Sequence, residues 1–304
     1  MDPWFLTGFV DGEGCFSVIV IRSNKLKTGW VVHPKFSISL HQKDKALLEQ
    51  IQSYFCGAGS IIKQGPLSIQ FQIQSVKDLK VIIDHFERYP LITQKRADYE
   101  LFKQVFEIIS NKKHLTTEGL EKLVAIKASM NKGLSVRSEL KAAFPKILPV
   151  PRPSIVNQQI KDPQWVAGFT SGEGCFYINI MNSASHSLGF QVQLIFKLTQ
   201  HERDEELMRS LVDYLDCCGN VYIYKEAVDY IVIKFTDLTE KILPFFEKYP
   251  LFGVKSKDFE DFKQVVKLMQ NKAHLTEEGL NQIRQIKAGM NKGRPLSDGN
   301  TRGG

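Results

Sequence analysis

The feature that most constrains the fold is an internal repeat. Residues 86–91 read FERYPL and residues 246–251 read FEKYPL, 160 positions later. The segment NKKHLTTEGL at 111–120 returns with the same offset as NKAHLTEEGL at 271–280. Self-similarity at one fixed offset indicates one structural unit used twice, and two copies are too few for a solenoid. We therefore predict a tandem duplication with no net insertion from end to end.

The segment between the two copies is rich in proline and basic residues. Its prolines are Pro145, Pro149, Pro151 and Pro153, and proline-rich linkers are extended and semi-rigid. We predict a first half-domain at 1–133, a linker at 134–161, a second half-domain at 162–295 and a tail at 296–304.

Hydrophobic periodicity predicts the same order of elements in both halves. Asp2-Pro3 and Asp162-Pro163 are typical helix starts, with a capping acid before a proline. Apolar and polar residues then alternate, most clearly over 68–74, as in strands with one buried face. Helices are predicted at about 76–87, 95–111 and 117–132. The predicted fold class is α+β, with an αββαββα order in each half and an antiparallel sheet that leaves one face to solvent.

The solvent-facing positions of the predicted sheets carry amide, hydroxyl, aromatic and basic side chains, and almost no acids. They are Ser17, Lys35, Ser37, Ser39, Gln70, Gln72 and Gln74 in the first half, and Tyr177, Asn179, Gln191, Gln193, Lys197, Tyr230 and Lys234 in the second. Amide and basic side chains bind base edges, and a two-stranded ribbon fits the major groove of DNA. The alternative is an ordinary solvated sheet face. The net charge of +7 favours a polyanionic partner, so we predict that these residues bind double-stranded DNA.

The first helix of each half carries the most specific motif in the chain. Residues 6–14 read LTGFVDGEG and residues 166–174 read VAGFTSGEG. Small residues four positions apart lie on one helix face and let two backbones approach closely. We predict that the two helices pack on each other through Gly8, Gly12, Gly168 and Gly172.

Each motif helix is predicted to end in a glutamate, Glu13 in the first half and Glu173 in the second. A carboxylate is unfavourable at a helix C-terminus, because the helix dipole is already negative there. Two exposed glutamates would be the plain alternative, but it does not explain why the placement recurs in both halves. A hard divalent cation with oxygen ligands removes the conflict. The pattern predicts Mg²⁺ as the cofactor, with Mn²⁺ and Ca²⁺ as other occupants of the same sites.

These two segments resemble the motif of the LAGLIDADG homing endonucleases, and the duplication and linker resemble the single-chain members encoded in organellar introns. The resemblance implies two antiparallel sheets that form a DNA-binding saddle, and Mg²⁺-dependent hydrolysis of both strands of a long, asymmetric DNA target. It implies catalysis by Glu13 and Glu173, with the carbonyls of Gly12 and Gly172 as further metal ligands. The sequence has Glu where the named motif has Asp, and Ser171 replaces an earlier acid that is not a metal ligand in the family.

The resemblance also assigns two pairs of catalytic residues outside the motif. Lys95 and Lys255 each lie five positions after a proline, and a lysine there would stabilise charge near the scissile phosphate. The alternative is a charge at a helix start. His41 and His201 fall where relatives keep a polar residue that orders water, and the alternative is an exposed side chain at a strand end.

The resemblance implies a monomer that acts in the mitochondrion on double-stranded DNA, with its own intron RNA as a further partner. Two other functions stay open at this point, an RNA-binding intron maturase and a non-cleaving DNA-binding regulator. No membrane is expected as a partner, since no apolar run approaches the ~20 residues of a span. Five cysteines without a CxxC pair argue against a disulfide framework or a zinc site.

Overall fold

The computed structural model describes residues 1–135 and 138–294. The predicted tail at 296–304 lies outside the described residues. The chain divides into two compact units, one of Met1 and residues 13–158, the other of residues 2–12 and the chain from Gln159 onward. Residues 2–12 therefore group with the second unit, whereas the repeat alone assigns them to the first half-domain.

The predicted αββαββα order is confirmed in the first half. Its helices are α1 (Pro3–Glu13), α2 (Lys45–Tyr54), α3 (Val76–Arg88), α4 (Lys95–Ser110), α5 (Thr117–Ser129) and α6 (Glu139–Ala143), and its strands are β1 (Gly14–Arg22), β2 (Trp30–His41), β3 (Ser60–Lys63) and β4 (Ser68–Ile73). Short 3₁₀ turns lie at Gln42–Asp44 and Lys113–Leu115. Of the later helices, α5 begins after Thr116, whose hydroxyl accepts a hydrogen bond from the backbone N–H of Gly119, the typical N-cap geometry.

The second half has the same order. Its helices are α7 (Pro163–Glu173), α8 (Glu205–Tyr214), α9 (Phe235–Asp237), α10 (Leu243–Lys248), α11 (Val254–Gln270) and α12 (Glu277–Ala288), and its strands are β5 (Gly174–Asn182), β6 (Phe190–His201), β7 (Asn220–Tyr224) and β8 (Ala227–Val232). Its 3₁₀ turns lie at Glu202–Asp204, Ala273–Leu275 and Asn291–Gly293. Among the described residues, no helix is both long and apolar enough to cross a membrane.

Each half contains one four-stranded antiparallel sheet. The strand order is β1-β2-β4-β3 in the first sheet and β5-β6-β8-β7 in the second. The register places Gly14 opposite Ile38 and Gly174 opposite Leu198. The strand that begins directly after each motif glutamate therefore pairs with the long second strand of the same half.

The same aromatic cluster fills the core of both halves. In the first half the ring of Phe16 packs on four others, Phe36, Phe86, Tyr99 and Phe102, with centroids 5.2 to 5.6 Å away. In the second half Phe176 packs on Phe196, Phe246, Phe259 and Phe262 at 5.1 to 5.9 Å. Each residue of the first cluster lies 160 positions before its counterpart. The shared core explains why the repeat keeps its offset at these positions.

The spacing of 160 positions between matching residues of the two halves is not kept throughout the sheets. Phe36 pairs with Ile73 in the first sheet, and Phe196 pairs with Val232 in the second. The first residues of these pairs are 160 positions apart and their partners only 159. Relative to the first half, the second half therefore has a one-residue deletion in the turn between β7 and β8. This local deletion was not visible in a repeat matched end to end.

A π-helical turn restores the offset. Between α9 and α10 the chain forms one π turn at Leu238–Ile242, where the first half has the uninterrupted α-helix α3. A π turn accommodates one more residue than an α turn, because its hydrogen bonds span five residues and not four. The offset is 160 again at Phe246, in the aromatic cluster.

The predicted linker folds against the first unit over much of its length. Leu140 of α6 is buried, and the ring of Phe144 lies 6.0 Å from Trp30. Further along, Gln94 Nε2 donates to the carbonyl of Ile155 at 3.0 Å. The segment has little regular structure, as its prolines predict, but side-chain and backbone hydrogen bonds attach it to the helices.

Candidate active site and nucleic-acid interface

The two motif helices begin at aspartate caps. Asp2 Oδ1 accepts hydrogen bonds from the backbone N–H groups of Trp4 and Phe5, at 2.8 and 3.2 Å. Asp162 Oδ1 accepts one from Gln164 N at 2.8 Å. These carboxylates satisfy N–H groups that have no partner within the helix, and their charge complements the positive end of the helix dipole. The capping aspartates therefore determine where both helices begin.

Helices α1 and α7 pack with their backbones in contact. A Cβ atom on Gly8 would meet the carbonyl oxygen of Trp165, and a Cβ atom on Gly168 would meet that of Phe5. Each would also lie 2.9 Å from a backbone nitrogen, that of Phe169 or Phe9. The two contacts are reciprocal, and no side chain larger than hydrogen fits at either glycine without separating the helices.

One buried polar contact joins the same two helices and is not apparent from the motif. Asp11, which is fully buried, accepts a hydrogen bond from Trp165 Nε1 at 2.8 Å. The repeat places Ser171 at the matching position in α7. There the hydroxyl donates to Ala167 O at 2.8 Å and accepts from Phe252 N at 3.2 Å. Asp11 and Ser171 thus occupy matching positions but bind different partners, Asp11 a side chain of the facing helix and Ser171 two backbone groups.

The motif glutamates are the last residues of their helices, as predicted. Glu13 ends α1 and Glu173 ends α7, and both are half-buried. A Cβ atom on Gly12 would lie 3.2 Å from Cγ and 3.7 Å from Oε1 of Glu173. The missing side chain at Gly12 therefore leaves room for the Glu173 carboxylate beside the end of α1.

The donor groups at these helix ends suit a hard divalent cation. They are carboxylate oxygens and the last helix carbonyls, and Mg²⁺ prefers oxygen ligands. Within residues 1–135 and 138–294, no group of three or more His, Cys, Asp and Glu side chains could form a metal cage. Mg²⁺ often binds through one or two carboxylates and completes its shell with waters and substrate phosphates, so the donor set fits such an ion.

The predicted lysines lie in the first turn of corresponding helices. Lys95 is the first residue of α4, and Lys255 is the second residue of α11. Desolvation by the surrounding protein raises the pKa of the Cys15 thiol, and the nearby positive charge of Lys95 opposes that rise. Desolvation likewise raises the pKa of Cys175, where Lys255 has the opposing effect. Each lysine therefore lies within electrostatic reach of the cysteine two positions after a motif glutamate.

The predicted histidines cap 3₁₀ turns at the ends of β2 and β6. His41 Nδ1 accepts from Lys43 N, and His201 Nδ1 accepts from Arg203 N, both at 3.2 Å. Both residues are exposed. The capping bond gives each ring a structural role, and it puts the proton of the neutral ring on Nε2.

The polar face of the first sheet forms a hydrogen-bonded row. Lys35 Nζ donates to Gln70 Oε1 at 2.6 Å, and Gln70 Nε2 donates to Ser39 Oγ at 2.7 Å. Ser17 Oγ donates to the Lys35 carbonyl at 3.3 Å. Ser37 and Gln70 are only 4% and 5% exposed, so the prediction that they face solvent was wrong, because neighbouring side chains of the row cover them.

Two predicted glutamines continue this face toward the end of β4. Gln72 lies on the strand opposite Ser37, whereas Gln74 lies one residue beyond the strand. Gln74 Nε2 contacts Gln72 Oε1 at 3.4 Å. The structure thus brings most of the predicted first-half residues together on one polar surface.

In the second sheet the predicted polar residues of β5 and β6 share one face. Tyr177 and Gln191 are exposed, and Asn179 and Gln193 are half-buried and directly opposite each other. The alternate residues of these strands, among them Phe176, are buried in the core. These positions agree with the period of two in the sequence.

The prediction for Tyr230 of β8 was wrong, and that for Lys234 stays a prediction. Tyr230 is fully buried, and Lys234 lies beyond the end of the strand, 3.7 Å from Asp237. Tyr230 and Lys234 lie 160 positions after Gln70 and Gln74, but the one-residue deletion makes the offset 159 here. A shift of one residue moves every side chain of a strand to the other face.

The outward residues of this region are Asp229, Ile231 and Ile233. Asp229 is half-buried and accepts from Lys197 Nζ at 2.8 Å and Thr199 Oγ1 at 2.6 Å. An acid therefore lies on the surface predicted to be almost free of acids. It corresponds to Gln70 of the first half, since each is opposite the third-last residue of the long strand.

Tyr230→Phe is expected to lower the free energy of unfolding by about 1–2 kcal/mol and to leave DNA affinity unchanged. The reason is that the buried hydroxyl donates to Cys218 O at 2.9 Å. Urea denaturation and fluorescence anisotropy with a labelled duplex measure the two quantities. Tyr177→Phe, on an exposed tyrosine of β5, is the control for stability. If Tyr230→Phe weakened DNA binding and left stability unchanged, Tyr230 would be a DNA-contacting residue and not a core residue.

Comparison with known proteins identifies the family. The LAGLIDADG endonuclease profile matches residues 6–106 and again residues 166–266. The chain is 44% identical over 287 residues to "Probable intron-encoded endonuclease 3" of Neurospora crassa, covering 93% of this chain and 53% of the relative. The profile thus matches both copies of the repeat. The chain belongs to the LAGLIDADG endonuclease family, and it spans about half the length of this curated relative.

Two solved structures extend the match to three dimensions. The LAGLIDADG homing endonuclease I-SmaMI bound to cleaved DNA is 48% identical with a TM-score of 0.94, covering 97% of this chain and 98% of that chain. I-SmaMI bound to an uncleaved DNA target in the presence of calcium ions has a TM-score of 0.93 at 48% identity, covering 96% and 100%. The fold prediction is therefore confirmed along almost the whole chain.

Proposed function

We propose that this protein is a sequence-specific DNA endonuclease that hydrolyses one phosphodiester bond in each strand of a long, asymmetric double-stranded target. The observation that carries the proposal is the glutamate at the end of both motif helices. An acid at a helix C-terminus is electrostatically unfavourable, yet Glu13 and Glu173 occupy that place in both halves. Similarity to I-SmaMI, solved with cleaved DNA, supports the same activity.

The metal cofactor in this proposal is Mg²⁺, held by the carboxylates of Glu13 and Glu173 with the carbonyls of Gly12 and Gly172. Mn²⁺ and Ca²⁺ would fit the same oxygen donors, and a similar enzyme was solved with calcium ions present. Such an ion supplies a more acidic bound water and stabilises charge on the phosphate oxygens. The glutamates bind and orient it, and Gly12 keeps the space beside the Glu173 carboxylate open.

The lysines and histidines act around this centre. Lys95 and Lys255, in the first turns of α4 and α11, stabilise the negative charge that develops on the phosphate. His41 and His201 are held by their Nδ1 capping bonds, so each Nε2–H is the donor that would orient a water. The polar sheet faces bind the DNA, phosphate contacts fixing its position and base contacts its sequence.

The two sheets would recognise unlike half-sites. The first offers Gln70 and Gln72 at positions where the second offers Asp229 and Ile231. Glutamine pairs with adenine and an acid accepts from cytosine N4, whereas an apolar side chain contacts the thymine methyl group. This difference favours a single chain acting as a monomer on an asymmetric sequence. The proposal includes an origin in a mitochondrial intron; the name of the intron-encoded relative supports the intron origin.

The test is cleavage of a plasmid that carries the uninterrupted intron insertion site of the host gene. Incubation with Mg²⁺ is expected to give linear DNA, and EDTA should prevent it because it removes the cation. A plasmid that is bound but never cut in Mg²⁺ would contradict the proposal and favour a non-cleaving regulator. Binding to the intron RNA without binding to the plasmid would favour a maturase.

A further inference from the structure

A buried carboxylate lies one turn into the helix that carries each predicted catalytic lysine. Asp98 of α4 has a side chain only 6% exposed. Its two oxygens accept from the two terminal nitrogens of Arg152, at 2.7 and 2.8 Å. The same carboxylate accepts from the backbone N–H of Asn131 at 2.8 Å. Such a bidentate pair fixes geometry as well as charge.

The second half has an equivalent cluster on α11. Asp258, with its side chain 3% exposed, accepts from Arg294 at 2.6 and 3.1 Å and from Asn291 N at 3.0 Å. Arg294 also donates to Asp261 at 2.5 Å. Each half therefore places an arginine on the buried aspartate that follows the predicted lysine by three residues.

The arginines of the two clusters do not come from matching positions. Asp98 and Asp258 are 160 positions apart, as are Asn131 and Asn291, but the repeat places Leu134 opposite Arg294. In the first half the cation comes from the linker, 21 residues after Asn131. A buried carboxylate is costly unless it is paired. Two different chain segments have supplied that pairing at the same place.

Each cluster connects the lysine helix to the strand that follows the motif glutamate. Asn131 Nδ2 donates to Phe16 O at 2.8 Å, and Asn291 Nδ2 donates to Phe176 O at 3.0 Å. Arg152 also reaches the carbonyl of Gln94, the residue before Lys95, at 3.4 Å. Asp98 lies one helical turn after Lys95 in α4, so the cluster lies beside the predicted catalytic lysine.

We propose that Arg152 and Arg294 are positioning residues for catalysis, each serving its own half. Through its hydrogen-bonded ion pair with the buried aspartate, each arginine holds the first turn of α4 or α11 against β1 or β5. This inference rests on the proposed endonuclease function.

The test is strand-specific cleavage by Arg152→Gln and Arg294→Gln. Single-turnover assays use duplexes labelled on one strand or the other, with enzyme in excess. We expect Arg152→Gln to slow cleavage of one strand by about 10²-fold, the scale of a 1 Å misplacement, and the other strand by less than about 2-fold. Nicked DNA should then accumulate, with the duplex Kd unchanged. Arg294→Gln should slow the opposite strand.

Variants of the two catalytic lysines show which DNA strand each half cleaves. Lys95→Met should slow the same strand as Arg152→Gln, and Lys255→Met the same strand as Arg294→Gln. Lys146→Gln, which removes an exposed charge from the same linker, is the matched control and should leave both rates unchanged. Arg152→Lys, which keeps the charge but not the bidentate geometry, should give an intermediate bias and serves if the glutamine variant does not fold.

Two outcomes separate the inference from the function on which it rests. If the unmodified protein cuts neither strand in Mg²⁺, the proposed function fails. If it cuts both strands and the arginine variants lower Tm but slow both strands equally, the clusters are only structural and the inference is overturned. Strand preferences that differ from those of the lysine variants would also overturn it.

Discussion

Glu13→Gln is expected to reduce double-strand cleavage by roughly 10³-fold, while the Kd for the target DNA changes by less than about 3-fold. Glutamine has the shape of glutamate but no charge, so it binds a divalent cation weakly. The loss corresponds to several kcal/mol of charge stabilisation in the transition state. Removing a negative charge beside a phosphate does not weaken DNA binding. Glu173→Gln should give a loss of similar size.

Single-turnover cleavage and gel-shift titration in Ca²⁺ separate the two effects. Glu118→Gln, in the exposed first turn of α5, makes the same chemical change away from the motif and should cut normally. The assignment of Glu13 and Glu173 as metal ligands fails if both motif variants keep the unmodified rate. A variant that loses DNA binding together with cleavage would instead point to misfolding, and circular dichroism would detect it.

Gly8→Ala and Gly168→Ala are each expected to lower the free energy of unfolding by about 3 kcal/mol. The added methyl group would overlap a backbone carbonyl of the facing helix, that of Trp165 or Phe5. Backbone atoms do not move aside as a flexible side chain would. The penalty therefore exceeds the helix-propensity gain of about 1 kcal/mol from replacing glycine with alanine.

Thermal denaturation measures this effect, with an expected decrease in Tm of roughly 6 °C or more. The control is Gly65→Ala, because a Cβ atom at Gly65 has no heavy atom within 4 Å. It should change the free energy of unfolding by less than about 0.5 kcal/mol. Equal Tm values for Gly8→Ala and Gly65→Ala would mean that the α1–α7 contact is looser than the distances indicate.

Local patterns predicted the fold well because each local signal has a local cause. The capping of α1 and α7 by Asp2 and Asp162 follows from side chains that reach N–H groups two or three residues away. The period of two along β4 follows from burial of one sheet face. The repeat added the long-range information, since residues such as Phe16 and Phe176 must fill equivalent cores.

The sequence predictions failed where the two halves differ from each other. Tyr230 was assigned to the polar face because a one-residue deletion in the β7–β8 turn was balanced within the following helix. Arg152 was not singled out because its partner, Asp98, is 54 positions away and its own position has no counterpart in the second half. The repeated pairs Asp98 with Asp258 and Asn131 with Asn291 were signals that could have pointed to the two clusters.

The π-helical turn at Leu238–Ile242 also bears on how this protein evolves and how it could be redesigned. Without the extra residue, the deletion in the β7–β8 hairpin would have rotated the following helix by about 100° per residue and displaced Phe246 from the core. Because the π-helical turn compensates for the deletion, only the hairpin changes and the core is kept. Hairpins of different lengths are therefore compatible with one core. If they bind DNA as proposed, a designer seeking a new half-site can shorten a hairpin and restore the frame in the next helix.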